Sequence, residues 1–578
     1  MIFTLCRAIA CSVCIALIMA GKPSPALSSD SILRPFPAQY TQPQIYQAAL
    51  NNAQGIPPLS SKITGLTIPH HLLAVELMAS ALALVRDQTY ERIIILSPNH
   101  FHRGQTFFSV SIRPFSTCLG PVSIDIQATQ QVLNNPQVSS SNLFSHEHGV
   151  QALLPLLAHY FPQVPVLAIT MHLAAKKKDW NALMHTLLPL VSKDTLIIQS
   201  TDFSHYLTWP QAIIHDQETL HALALGRADD INLLDQPAHL DSKAAQYLQI
   251  KLQDLVCNAT PTVIANANSC EFSAPQEPLP QETTSYIVQV YSPERLPSIN
   301  LSTRGAPKAR YFFGGDFFTG RYLTQHLANP AKRQKFLDQI LNLTQGAPLI
   351  LNFEGVLATQ CPPQDLETLS SGQTLPPEKW QLCMPKALTL EILKALNVVA
   401  VGLANNHSHD HGPQGYAQTK KTLEEHGIMV VESGQITSLP DFNLVAWTDV
   451  DNNHPQKRDL LTTDELTILP EMQTHKPLWA LMHWGQEGWP KPKLREKLLF
   501  EQLQHQGFSL IVGHHSHRAG ELQGNTQGVV AWSLGNFLFD QPEPMADGAL
   551  LEVSIFPQGT FWVRQIYLGN LYAQCFKH

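Results

Sequence analysis

Three histidines stand within four positions in the segment LIVGHHSHRAGEL, at 514, 515 and 517, directly after an apolar run. Imidazole titrates near neutrality and is the commonest protein ligand for transition metals. Other side chains with ligand atoms also follow apolar runs. They are Asp316 in FFGGDFF, Glu354 in LNFEG, Asn406 and His407 in LANNHSHDHG, and His483 in LMHWGQEG; His515 and His517 complete the set. Carboxylate, amide oxygen and imidazole together suit Mn, Fe or Zn. A carboxylate shared between two such ions would hold them about 3.5–4 Å apart, an arrangement that activates water and neutralises charge on a phosphoryl oxygen. A single histidine at a strand end is ordinary surface chemistry. Ligand types at four separate strand ends are harder to dismiss, and a turn at Asn406 would need only one asparagine, not an Asn–His pair.

The first half of the chain repeats this grammar. Apolar runs end near His70 in GLTIPHH, His100 in IILSPNH and His205 in IIQSTDFSHY. His148 follows Glu147 and opens an apolar periodic helix from Val150 to Tyr160. Three histidines from three strand ends make a metal face with one position open for substrate or water. Ordinary polar strand ends are the equally weighted alternative.

The elements that must position these residues are alternating. Continuous Val/Ile/Leu runs such as ERIIILS, VPVLAITM, APLILNFEG, NVVAVGLA and FSLIVGH suit strands buried on both faces. SKAAQYLQIKLQDLV and GYAQTKKTLEEHG space their apolar residues as helices do, and Gly427 closes the second. Strand, polar loop and helix in repetition predict an α/β fold in both halves, with ligands at the carboxyl ends of strands. A chain of 578 residues exceeds what one core supports. YSPERLPSINLSTRGAPKAR, rich in Pro, Ser and basic residues, divides it. The expected organisation is a signal peptide over 1–29, a domain over 30–292, a linker over 293–309 and a second domain over 310–570.

Composition narrows the function. An apolar content of 44%, a charged content of 15% and a net charge of −8 describe ordinary globular protein. They exclude a general nucleic-acid binder and predict peripheral membrane contact or none. The 26 histidines favour metal chemistry. Arg7 and the apolar stretch from Ala8 to Ala20, followed by small residues and prolines, form a secretory signal pattern, with an uncleaved anchor as its rival. Export predicts a periplasmic or extracytoplasmic protein in an oxidising compartment. Six cysteines remain beyond the leader, and Cys257–Cys270 and Cys361–Cys383 are the short-loop disulfide candidates.

The second half resembles the CapA family of capsule and poly-gamma-glutamate synthesis proteins. GGDFFTGR, NFEG, LANNHSHDHGPQGYAQTKKTLEEHGI, HWGQE, GFSLIVGHHSHRAGE and AWSLGNFLFDQ run in family order. The resemblance implies a calcineurin-like metallophosphatase fold, with Asp316, Glu354, Asn406, His483, His515 and His517 lining a centre for Mn, Fe or Zn. It implies that His407 stabilises leaving-group or transition-state charge and that Asp410 orients a histidine through its other ring nitrogen. Arg321 is expected to pair with an anionic group, Asn536 to shape the substrate side from the last strand, and His514 to be structural. Metallophosphatases carry a histidine two residues after the first aspartate. This chain has Phe318 there, so hydrolysis does not follow from the fold alone.

The first half resembles the Memo family, whose bacterial members are called AmmeMemoRadiSam system protein B, through PHH, SPNH, EHGVQALLP and STDFSHY. The resemblance implies an extradiol-dioxygenase-like α/β sandwich with His70, His100 and His205 as ligands to Fe, Zn or Cu, and with Asp202 and His148 lining the pocket. The family also uses a cysteine at the start of a late helix. Ser242 in HLDSKAAQYLQ is expected at that place, which removes a soft ligand and lowers any preference for copper. The signal pattern and the two resemblances together imply an exported two-domain protein. Its second half would act, by metal-dependent hydrolysis or transfer at a phosphoryl or acyl centre, on an acidic cell-surface polymer. A non-enzymatic polymer-binding scaffold, and redox or dioxygenase-like chemistry in the first half, are the rival readings.

Overall fold

The computed structural model describes residues 34–273, 278, 280–299, 301–361, 381–450, 461, 466, 476–541 and 546–576. The leader expected over 1–29 lies outside the described residues. Both halves are α/β, as the alternation of runs predicts.

In the first half a nine-stranded sheet is built around four parallel strands, Gly65–Ile68, Thr195–Ser200, Arg92–Pro98 and Val166–Met171, adjacent in that order. Thr260–Asn268 and Thr283–Ser292 extend one side in antiparallel register. The parallel strands are buried along almost their whole length because helices cover both faces. On one face Leu77, Leu82, Leu154 and Leu157 pack against Ile93, Ile95 and Ile198. On the other, Leu183, Leu187, Ala245 and Leu248 pack against Ile94, Leu96 and Ile197. Burial on both faces removes the polar–apolar alternation of a half-exposed strand and leaves the continuous runs seen in the sequence.

The second half stacks two sheets. One runs Met429–Val431, Val398–Gly402, Leu349–Phe353, Ala309–Phe317, Gly548–Ile555 and Phe561–Gly569, the first four parallel. The other contains the parallel strands Asn443–Thr448, Leu478–His483, Phe508–His514 and Gly528–Ala531. Phe313, Ile350, Leu481, Val512 and Leu551 fill the space between them. Phe336, Ile392, Leu423 and Phe576 cover the first sheet from outside, and Leu499, Phe500 and Leu503 cover the second.

Cys361 and Cys383 form a disulfide. The other candidate pair is corrected: Cys257 and Cys270 are both free. The nine-residue strand Thr260–Asn268 runs between them. At about 3.4 Å per residue it separates its ends by roughly 27 Å, far beyond the Cα separation of about 7 Å a disulfide allows.

The joint over 293–309 is packed, with Leu296, Ile299 and Leu301 buried. Contacts between the halves centre on the helix Trp209–Ala224. The Gln217 amide donates to Phe561 O at 2.9 Å and accepts from Phe561 N at 2.8 Å. Behind it lies the fully buried Asp216, which accepts from Ser204 at 2.6 Å, from Asn266 at 2.9 Å and from Ser285. Asn266 Oδ1 in turn accepts from Thr560 at 2.6 Å and Gln558 at 3.0 Å.

Burial pushes the Asp216 carboxyl up to about 6, against three donors that favour the anion. Its pKa is therefore higher folded than unfolded. The stability it contributes is complete below about pH 4 and is lost as pH rises through about 6. Relative to Asp216→Asn, the wild-type protein should lose roughly 2–3 kcal/mol between about pH 4 and pH 7. Urea unfolding of both proteins across that range reads the difference, and a difference that does not move with pH refutes the assignment.

Candidate functional site

Five strand ends of the second half meet at one edge of its two sheets. Asp316 ends one strand and is fully buried. Its Oδ1 accepts from Asn352 Nδ2 at 2.8 Å, and its Oδ2 accepts from the backbone N–H of His515 at 3.2 Å. Asp316 Oδ2 also lies 3.3 Å from His517 Nδ1. Glu354, just past the neighbouring strand, places Oε1 4.0 Å from His517 Nε2 and 4.0 Å from His407 Nε2. His483 Nε2 faces Asn406 Oδ1 at 2.7 Å, and the His483 and His515 rings lie 4.7 Å apart. The structure thus brings Asp316, Glu354, Asn406, His407, His483, His515 and His517 together. His515 and His517 adopt left-handed backbone, with φ of 86° and 58°. Non-glycine residues pay strain there and hold it only where the surroundings fix them.

The partners of these groups define their orientation. Asp410 Oδ2 stands 2.8 Å from His407 Nδ1 and also accepts from Leu382 N at 2.6 Å. Asn536 Oδ1 accepts from His517 Nδ1 at 2.8 Å, so this amide positions an imidazole of the site. His514 turns away, with Nε2 3.3 Å from Gly314 O. Arg321 pairs with an anionic group of the chain itself. Its guanidinium lies over the Phe318 and Phe539 rings and forks onto Asp540, with Nε 3.1 Å from Oδ1. Phe318 is fully buried against Phe539 at 5.1 Å and offers no ligand atom.

Electrostatics follow from burial. Desolvation and the adjacent Asp316 push Glu354 well above the usual carboxylate range. Burial alone would lower His517, but Glu354 and Asp316 raise it to about 9. Burial and the His517 charge lower His515 to about 3, and burial and His515 lower His483. Glu354 Oε2 and His515 Nδ1 are buried without any hydrogen-bond partner. Asp316, Glu354 and His517 each offer a ligand atom within 4.8 Å of the others. Buried lone pairs without donors, of mixed O and N type, fit a borderline divalent cation.

A second constellation occupies the carboxyl ends of the parallel strands in the first half. His70, His100 and His205 converge there on a residue the sequence reading missed, Asp241. Its Oδ2 lies 3.3, 3.7 and 3.8 Å from their three Nε2 atoms. Each Nδ1 has a partner on the far side: Ser200 Oγ at 3.0 Å for His70, Glu147 Oε1 at 2.6 Å for His100 and Thr284 Oγ1 at 3.4 Å for His205. Ser200 donates its own proton to Gly149 O and must accept from His70. The Glu147 carboxylate must accept from His100. Both arrangements place an Nδ1 proton outward and turn Nε2 toward Asp241, the orientation outer partners impose on metal-ligating histidines. His70 Nε2, His205 Nε2 and Asp241 Oδ1 are buried without hydrogen-bond partners, so this donor set also fits a divalent ion. Asp202 accepts from the His70 backbone N–H at 3.0 Å, and the His148 ring stacks 3.8 Å from that of His100. The cavity beside this centre is lined by His100, His205 and Asp241 among others, with Asp202 and His148 next to those residues rather than on its wall.

Ser242 is corrected. It is the N-cap of the helix Lys243–Leu252, with its hydroxyl accepting from Ala245 N at 3.2 Å. The residue before it reaches the centre. Asp241 follows no apolar run; the available signal is an acid directly ahead of a helix-capping serine.

Comparison with known proteins agrees with this division. Residues 41–275 match the family described as Memo-like protein, and residues 310–439 and 469–541 match the bacterial capsule synthesis protein PGA_cap. The PGA biosynthesis protein CapA of Bacillus subtilis (strain 168) is 28% identical over 195 residues, 30% of this chain and 51% of that protein. The capsule biosynthesis protein CapA of Bacillus anthracis is 25% identical over 201 residues, 30% of this chain and 48% of that protein. A MEMO1 family protein of Nitrosopumilus maritimus (strain SCM1) is 29% identical over 128 residues, 21% of this chain and 46% of that protein. The chain spans about half the length of each of these relatives. The chain is thus a fusion of a Memo-like half with a CapA-like half of the bacterial capsule synthesis family.

Proposed function

We propose that the CapA-like half is a metal-dependent hydrolase or transferase acting at a phosphoryl or acyl centre of an acidic cell-surface polymer, outside the cytoplasm. The observation that carries this reading is the convergence of Asp316, Glu354, Asn406, His483, His515 and His517 around buried, partnerless ligand atoms. Relatives named for capsule and PGA biosynthesis supply the polymer context. Among the described residues no helix is long and apolar enough to cross a membrane.

A divalent ion held by these six residues would supply Lewis acidity to an electrophilic oxygen and lower the pKa of water. The chain's own residues do the rest. Asp410 holds His407 by Nδ1 and leaves Nε2 directed toward Glu354, where it donates a proton to the departing oxygen or offsets charge developing there. Asn536 fixes the ring of His517, and Asn352 fixes the carboxylate of Asp316. With Mn added, the mature protein should cleave a chromogenic phosphodiester or phosphomonoester, or shorten poly-gamma-glutamate. His515→Ala should abolish turnover, and His407→Gln should lower kcat by about 10²–10⁴-fold. Equal turnover by the wild-type protein and His515→Ala sinks the proposal. Polymer retained without turnover favours the scaffold reading.

For the Memo-like half, the convergence of three Nε2 atoms on Asp241 supports a separate site for Fe, Zn or Mn, with a carboxylate in place of a thiolate. Asp241→Ala should remove this ion as read by elemental analysis, while His515→Ala spares it. Asp241→Cys should raise the share of copper taken up. Ser242→Ala should keep the ion and cost about 1 kcal/mol of helix capping. Unchanged metal content in Asp241→Ala rejects the site.

A further inference from the structure

The last strand of the CapA-like sheet, Phe561–Gly569, pairs on one side only, with Gly548–Ile555. The other side faces the Memo-like half. There the Gln217 amide bonds both the N–H and the C=O of Phe561, as a neighbouring strand would. In an extended strand the N–H and C=O of one residue point to the same side, and the side alternates from residue to residue. The main-chain groups of Val563 and Gln565 therefore point the way those of Phe561 do, away from the paired strand. Both residues line a cleft of about 550 Å³ between the halves, a volume within the range of ligand pockets. Over Phe561–Tyr567 the register is regular, and the strand holds neither proline nor lysine. Native proteins usually blunt such an edge. The strand Thr260–Asn268, which is the edge of the Memo-like sheet and meets the same cleft, is blunted: Pro261 has no N–H to offer.

The same cleft carries charge. Arg295 and Arg564 both line it. Arg564 is committed to Glu552, to Thr262 and to Leu296 O. Arg295 makes no ion pair among the described residues, and desolvation in the cleft and the Arg564 charge lower its pKa to about 10. Asp254 and Glu294, also on the wall, do not offset this. We propose that the cleft takes an extended peptide segment of a partner protein. The segment adds as a further strand to the edge at Val563 and Gln565 and sets an acidic side chain against Arg295. Main-chain pairing supplies the affinity, and the carboxylate at Arg295 supplies the choice of sequence. No residue of the lining is a ligand of either metal centre, so this site does not rest on the hydrolase reading.

The test uses the full chain and fluorescence anisotropy with end-blocked, labelled hexapeptides. The probe alternates valine and glutamate. One control alternates valine and lysine, and the other is the valine–glutamate peptide N-methylated at every residue, which keeps the side chains and loses the main-chain donors. The valine–glutamate peptide should bind, and both controls should bind at least tenfold more weakly. Arg295→Ala should raise Kd for the valine–glutamate peptide about tenfold, the loss of one charge-assisted hydrogen bond, and should abolish the preference over lysine. Gln565→Pro removes one outward N–H and leaves the ladder to Gly548–Ile555 in place, so it should weaken binding at least tenfold. Gln565→Ala loses only the side-chain bond to Gly520 O and should bind as the wild type does. Melting curves check that each variant folds; if Gln565→Pro does not, the N-methylated peptide tests the same pairing on the wild-type chain. The inference is overturned if the valine–glutamate peptide does not bind, if its N-methylated form binds equally, if folded Gln565→Pro binds as Gln565→Ala does, or if Arg295→Ala keeps the preference for glutamate. None of these readouts involves the CapA-like centre, so its failure and the failure of the hydrolase proposal are separate results.

Discussion

Asp316 and Glu354 are buried side by side at the ends of neighbouring parallel strands, and two such carboxylates cannot both stay ionised without positive charge between them. The rest of the CapA-like edge answers that demand. Without a cation, His517 keeps its proton, Glu354 is driven upward, and the nearby His483 and His515 are driven neutral. One proton on one imidazole is a poor solution, because it leaves Glu354 Oε2 and His515 Nδ1 with no partner. A divalent ion offers more charge and accepts both lone pairs. The left-handed backbone at His515 and His517 belongs to the same account, since it is tolerated where turning imidazoles inward has a return.

The two halves solve the orientation problem alike with different residues. An imidazole presents a lone pair at one nitrogen only when the other holds its proton outward. In the CapA-like half, Asn536 accepts the outward proton of His517, and Asp410 fixes the ring of His407 from its outer nitrogen. In the Memo-like half, Ser200, Glu147 and Thr284 face the outer nitrogens. Glu147 makes the strongest of these contacts by distance and also accepts from the His100 backbone at 3.1 Å, so one buried carboxylate sets both ring and main chain. Such partners explain why the clusters are polar two layers deep at strand ends whose bodies are wholly apolar.

The strands were legible because their burial on both faces writes itself as unbroken Val/Ile/Leu runs, and ligand types stood out where those runs stop. What was not legible lies off the runs or inside them. Asp241 comes after a proline-containing turn and before a helix cap, a context with no periodicity to flag it. Asn352 sits within LILNF, where an amide in an otherwise apolar strand was the available signal; it ties Asp316, His483 and Asn405 together. Arg321 read as an anion contact, and the anion is Asp540, which lies more than two hundred positions away and could not be paired with it from spacing. The disulfide at Cys257 and Cys270 failed for a related reason: nearness in sequence says little once an extended strand intervenes.

The joint between the halves shows how far composition falls short of packing. Its Pro, Ser and Gly content describes a tether, yet Leu296, Ile299 and Leu301 are buried in the core of the Memo-like half. The strand Phe561–Gly569 goes further. Successive residues of a strand face opposite ways. Phe561 and Val563 therefore enter the core between the two CapA-like sheets, while Trp562 enters the helical core of the Memo-like half beside Phe556. One strand thus contributes to two cores. Withdrawing it would expose apolar surface in both halves at once, and the Gln217, Thr560 and Gln558 hydrogen bonds across the joint would be lost with it. The two centres are consequently held in one cooperative structure by a period-two pattern of alternating side chains, a coupling that needs no contact between the centres themselves.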